Sequence, residues 1–110
     1  MTQNEYGKAN EKIIVTVDSD LEDLIPGYLE NRIKDIELIK AALNQGDYQT
    51  IQALGHSMKG SGGGYGFTDI TTIGSALEKV SKTKDFAEIQ RQVDELSAYL
   101  KKVEIVFEDD

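Results

Sequence analysis

Apolar residues recur at steps of three and four along four successive stretches of this chain, each bounded by residues that start or stop a helix. The first stripe is Leu29, Ile33, Ile36, Ile39 and Leu43, opened by Pro26 and closed near Gln45 by Gly46. The second is Ile51, Leu54, Met58 and Gly62, with Asp47 placed to cap it and a break at Gly64-Tyr65-Gly66. The third is Phe67, Ile70, Ile73, Gly74, Leu77 and Val80, followed by a connector over Ser81–Lys84. The fourth is Phe86, Ile89, Val93, Leu96, Leu100, Val103 and Phe107, opened by Asp85 with Glu88 three residues on, a capping-box pair. Such spacing gathers apolar side chains on one face of an α-helix. Pro in a first turn, Asp at an N-cap and Gly just past an end are the residues helix termini favour. Short connections make sequential helices antiparallel neighbours, so the pattern predicts an all-α fold, an up-down antiparallel four-helix bundle.

A short extra helix is expected in front, from about Asp20 to Ile25, because Ser19 and Glu22 have capping-box spacing. Pro26 biases Ile25 away from the helical region. The β-branched run Lys12–Val17 (KIIVTV) favours an extended chain, but no partner strand is evident, so it is expected at most as an ordered segment laid on the bundle. Residues 1–11 are polar and aperiodic and read as a loose tail. The expected organisation is thus a tail and extended segment over 1–17, one bundle domain over 18–107, and an acidic tail over 108–110.

A length of 110 residues suits one core. With 12 Lys and Arg against 20 Asp and Glu, the net charge of -8 argues against a nucleic-acid surface or an anionic membrane. The absence of Cys removes disulfides, thiol nucleophiles and Cys-based zinc sites, and a single His removes two-His metal sites. The N-terminus lacks the basic-then-apolar layout of a signal peptide, and no apolar run could span a bilayer, so a cytoplasmic protein is expected.

The one histidine, His56, lies in the most glycine-dense stretch, where six of ten glycines fall (55, 60, 62, 63, 64 and 66). The run Gly60–Gly66 is not a Walker A loop, since Lys59 precedes the glycines, nor does it fit G-x-G-x-x-G in phase. No acidic residue has an apolar setting that marks it for catalysis, and no nucleophile elbow accompanies His56. At about 100° per residue, Leu54, Gly55, Met58 and Gly62 cluster around Ile51, whereas His56 falls about 140° away on the solvent side. Lys59 lies one turn on, and Gly60 and Gly63 stack along from the imidazole. A lone exposed histidine is most often an ordinary surface residue. Glycine, however, costs roughly 1 kcal/mol per position in a helix interior, and it suits a surface that another backbone approaches closely.

The run Leu54-Gly-His56-Ser-Met-Lys59-Gly60-Ser61, then Gly66, Ile70, Ile73, Leu77 and Glu78, resembles the histidine-containing phosphotransfer (HPt) domain. Met58 and Gly55 stand where that family more often has Leu and Ala, and the run 62–64 is unusually rich in glycine, which leaves the end of the second helix open. The resemblance implies that His56 is phosphorylated on an imidazole nitrogen, that Lys59 supports the phosphoryl group, and that Gly60 leaves room for a partner. The expected partner surface comprises Gln52, Gly60 and Gly63. On this basis the protein is a monomeric phosphoryl carrier rather than an enzyme. It would have no cofactor of its own, and it would exchange phosphoryl groups with aspartates of response-regulator receiver domains or a hybrid sensor histidine kinase. Mg²⁺ would belong to the receiver. The alternative is a helical adaptor that is never phosphorylated. The phosphoacceptor domain of a sensor kinase fits less well, because Ser57 follows the histidine and Pro26 is the only proline.

Overall fold

The computed structural model describes residues 12–109. The expected tail over 1–11 and the last residue, Asp110, lie outside the described residues. In chain order the elements are β1 (Ile13–Asp18), a 3-10 helix (Ser19–Leu24), α1 (Ile25–Asn44), α2 (Tyr48–Tyr65), α3 (Thr68–Lys82), α4 (Phe86–Lys102) and β2 (Val103–Glu108). The four α-helices form the expected bundle. Ile39, Ile51, Met58, Ile70, Leu77, Ile89 and Leu96 are sealed in its core.

The helix ends follow local chemistry. Asp47 accepts the Thr50 amide at 3.2 Å, and Asp85 accepts the Glu88 amide at 3.1 Å, so both expected caps form. Gly46 has φ +71° and Gly66 φ +91°, left-handed conformations that close α1 and α2. The glycine run is helical throughout, and α2 breaks only at Gly66.

Both ends of the described region depart from expectation. The last helix stops at Lys102, where Val103 turns extended (φ −69°, ψ 134°), and Val103 to Glu108 continue as strand, so Glu108, expected in the acidic tail, is instead paired opposite Asp18. β1 and β2 pair in parallel, from Ile13 opposite Val103 to Asp18 opposite Glu108. Positions 103 and 107 satisfy a helical stripe and a period-two strand equally well. The β-branched residues Val103, Ile105 and Val106 decide for the strand once KIIVTV is at hand as its partner. Val17 is buried in the core, while Val103 and Ile105 pack against it and Phe107 remains partly exposed.

The short leading helix is of the 3-10 type, and its cap is Asp18, which accepts the Asp20 amide at 2.9 Å. Ser19 instead donates its hydroxyl to the Asp109 carboxylate, which ties the start of the 3-10 helix to the residue after β2. Ile25 is helical (φ −67°, ψ −46°) despite preceding Pro26. Burial of its side chain outweighs the steric preference, and Pro26 in the first turn breaks no hydrogen bond.

Besides Phe107, two stripe residues, both within helices, face outward. Phe86 precedes the first packed turn of α4 and is half exposed. Ile33 is 54% exposed, because α1 is rotated to turn Tyr28, Asp35, Ile36 and Ile39 inward. Asp35 pairs with Arg32 at 2.8 Å, and the Arg32 guanidinium lies 4.5 Å from the centre of the Tyr28 ring.

Candidate functional site

α2 and α3 are joined by Gly66 and Phe67 alone, so they form a tight antiparallel hairpin. Three glycines let their backbones touch. A β-carbon on Gly55 would lie 2.7 Å from the Glu78 backbone nitrogen and 2.8 Å from the Gly74 carbonyl oxygen. One on Gly74 would lie 2.6 Å from the Lys59 nitrogen, and one on Gly62 would meet Thr71 at 2.6 Å. Gly55, Gly62 and Gly74 therefore serve this internal contact. Gly60 and Gly64 would meet nothing within 4 Å, and Gly63 only the Thr71 hydroxyl at 3.6 Å. The cluster that looks uniform in sequence thus divides into glycines at the helix contact, glycines left bare, and Gly66 at the turn.

The glycine-rich half of α2 is held from both sides. Thr71 donates its hydroxyl to the Lys59 carbonyl at 3.3 Å, and the Tyr28 and Ser61 hydroxyls share a hydrogen bond at 3.1 Å. Tyr28 stacks on Phe67 with ring centres 5.6 Å apart and packs tilted against Tyr65 at 4.5 Å. Tyr28 and Phe67 are buried in the core and Tyr65 packs against it, and this packing offsets the low helix propensity of the glycines.

Close contact between α2 and α3 brings Glu78 to His56. The imidazole is 71% exposed, and its Nδ1 lies 3.0 Å from Glu78 Oε2. Lys59 Nζ lies 3.6 Å from Oε1 of the same carboxylate. Glu78 thus sits between the ring and the cation, with its side chain only 18% exposed. Partial burial pushes its carboxyl pKa up. The hydrogen bond to His56 and the charges of Lys59, His56 and Lys82 together outweigh this and hold it below the ordinary value.

An ionised carboxylate only accepts hydrogen bonds, so Nδ1 carries the proton in the neutral ring. Nε2 then keeps its lone pair. Among the described residues nothing hydrogen-bonds to Nε2, and the exposed edge of the ring carries it into solvent. Gly60 and Gly63 leave bare, exposed backbone further along that face, while Gln52, one turn before His56, is half-buried. The arrangement offers an oriented, accessible nitrogen nucleophile with one adjacent cation.

Sequence reasoning gave Glu78 no role. The signal was present, however: His56 and Glu78 stand at equal distances either side of Phe67, and a tight hairpin pairs such positions. No helix among the described residues is long and apolar enough to cross a membrane. No curated protein and no solved structure matches the chain. The family model described as the Hpt domain matches residues 21–105.

Proposed function

We propose that this chain, which belongs to the Hpt domain family, is a phosphocarrier of two-component signalling in which His56 takes up and passes on a phosphoryl group. The Nδ1–Glu78 hydrogen bond of 3.0 Å carries this reading, because it leaves Nε2 as the nucleophile. Nε2 attacks the phosphorus of an aspartyl phosphate on a receiver domain. The N–P bond forms, the P–O bond to the aspartyl group breaks, and the electron pair leaves with the aspartate carboxylate. The ring becomes cationic, and the Glu78 carboxylate faces that charge across the Nδ1–H hydrogen bond. Lys59, 3.6 Å from Glu78, is within a side-chain swing of a phosphoryl group on Nε2. The reverse steps return the group to a second aspartate.

Phosphoryl transfer of this kind needs positioning and charge stabilisation rather than covalent machinery. A carrier therefore suffices, and the receiver would contribute the aspartate and Mg²⁺. The partners would be receiver domains, alone or within a hybrid sensor kinase. The carrier would act as a cytoplasmic monomer, approached over Gly60 and Gly63.

The test is to mix the protein with a phosphorylated receiver domain and follow the label. We expect one acid-labile, alkali-stable phosphate per chain, absent in His56→Gln, whose helical circular dichroism should match the parent. Labelling that survives His56→Gln would refute the assignment. Failure of the parent to accept phosphate from any of a panel of receivers would leave the adaptor reading instead.

A further inference from the structure

The charge of this acidic chain is segregated. The hairpin segment 48–84 holds Lys59, Lys79, Lys82 and Lys84 against Asp69 and Glu78, a net +2 within a chain of -8, so the remainder carries -10. Asp18, Asp20, Glu22, Asp23, Glu104, Glu108 and Asp109 lie on the paired strands, the 3-10 helix and the residue after β2. That cluster sits at the Gly66 end of the hairpin, where Thr16 reaches Gly66. Lys79 and Lys82 lie in the last turn of α3 and Lys84 just beyond it, at the other end of that helix.

A groove of about 450 Å³ runs beside the site between α2 and α3, lined by Lys59, Thr71, Thr72, Ser75, Ala76 and Lys79. Its small side chains leave it open, and Thr71 ties its floor to α2 through the Lys59 carbonyl. Lys59 is engaged by Glu78, but among the described residues Lys79 is in no ion pair. An unpaired cation on the rim of a groove that shares Lys59 with the His56 site is placed to meet negative charge on whatever docks there.

We propose that this groove is the docking flank for an acidic protein surface, with Lys79 steering that partner and setting its orientation without touching the reacting atoms. The inference rests on the phosphocarrier reading and names the side from which the partner arrives. A protein carrying an aspartyl phosphate brings a phosphoryl dianion on a carboxylate site. Attraction to the hairpin and repulsion from the acidic end act together to present that site to His56 in one orientation. Steering of this kind raises association rates by 10- to 1000-fold and weakens with salt.

The experiment compares two double variants with the same change in charge. Ser75→Glu with Lys79→Glu reverses the groove beside His56. Lys40→Glu with Ser97→Glu alters the separate groove between α1 and α4, which those two residues line. Transfer from phosphorylated receiver domains is followed against partner concentration and ionic strength, and phosphoramidate, which needs no docking, serves as a small donor to His56. The second-order rate constant of the Ser75/Lys79 variant is expected to fall about tenfold at low salt and to lose most of its salt dependence. The rate at saturating partner and the labelling by phosphoramidate should be unchanged, and the Lys40/Ser97 variant should behave as the parent. Equal slowing in both variants, or parental kinetics in the Ser75/Lys79 variant, overturns the docking flank while leaving the carrier function standing. A parent labelled by phosphoramidate but by no receiver overturns the carrier function and this inference with it.

Discussion

Alanine at Gly55 and alanine at Gly60 are expected to shift stability in opposite directions, although both glycines lie on α2. At Gly55 the new β-carbon would lie 2.7 Å from the Glu78 backbone nitrogen, whereas ordinary contact begins at 3.4 Å. The helices must therefore separate by about 0.7 Å, the difference of those distances. The obstacles include backbone atoms of α3, which cannot swing aside as the end of a long side chain can. Overpacking of this kind costs about 1–3 kcal/mol, and replacing a helical glycine returns about 1 kcal/mol. The net for Gly55→Ala is a destabilisation of about 1 kcal/mol. At Gly60 there is nothing within 4 Å, so only the propensity gain of about 1 kcal/mol remains. Urea denaturation followed by circular dichroism should separate the two variants by about 2 kcal/mol. A second readout follows from the same separation, which would stretch the 3.0 Å bond between His56 and Glu78 beyond hydrogen-bond range. The His56 ring nitrogens should then shift in ¹⁵N NMR from the Nδ1–H form towards a mixture of tautomers. If Gly55→Ala stabilises the protein as much as Gly60→Ala and leaves the ring nitrogens unmoved, the close-contact argument is wrong.

Three further outcomes follow. Glu78→Ala should slow phosphotransfer by about tenfold and lose the Nδ1–H signature, while Glu78→Gln, which still offers an accepting oxygen, should restore the signature and part of the rate. The Glu78 carboxyl is held below its ordinary value of 4.5, so the stabilisation it brings is present above that value and is lost as the pH falls through the lowered pKa. Acid titration of the parent should lose this contribution, and Glu78→Gln should titrate without it. Burial raises the Asp35 pKa against the opposing charge and hydrogen bond of Arg32. Arg32→Ala should therefore cost about 2 kcal/mol at neutral pH. Because a carboxyl with a raised pKa is best accommodated when protonated, that cost should shrink as the pH falls towards the ordinary value of 3.8. Chemical denaturation across pH checks the sign: a cost that grows in acid would refute it.

Local order explains which parts of this protein can be read directly. Caps at Asp47 and Asp85, left-handed glycines at 46 and 66, and three-four stripes act within a turn or two of chain, so the four helices are legible residue by residue. The same wheel that buries Ile51 and Met58 leaves His56 and Lys59 outside, which makes the exposed histidine legible too. At Val103 and Phe107 the pattern is degenerate, since both positions serve a helix or a strand. The strand exists because β1, at the other end of the chain, lies alongside.

The amino-acid order by itself therefore determined the helical bundle, its turns and a solvent-facing His56 one turn from Lys59, because periodicity and capping are properties of neighbouring residues. Only the tertiary structure decided which glycines serve the contact between α2 and α3 and which lie bare. It also placed the Glu78 carboxylate on Nδ1. Both depend on how closely two helix backbones approach, a distance set by side chains that are absent and by a partner helix beyond the turn. The pattern along one helix carries no record of that distance, yet it orients the imidazole.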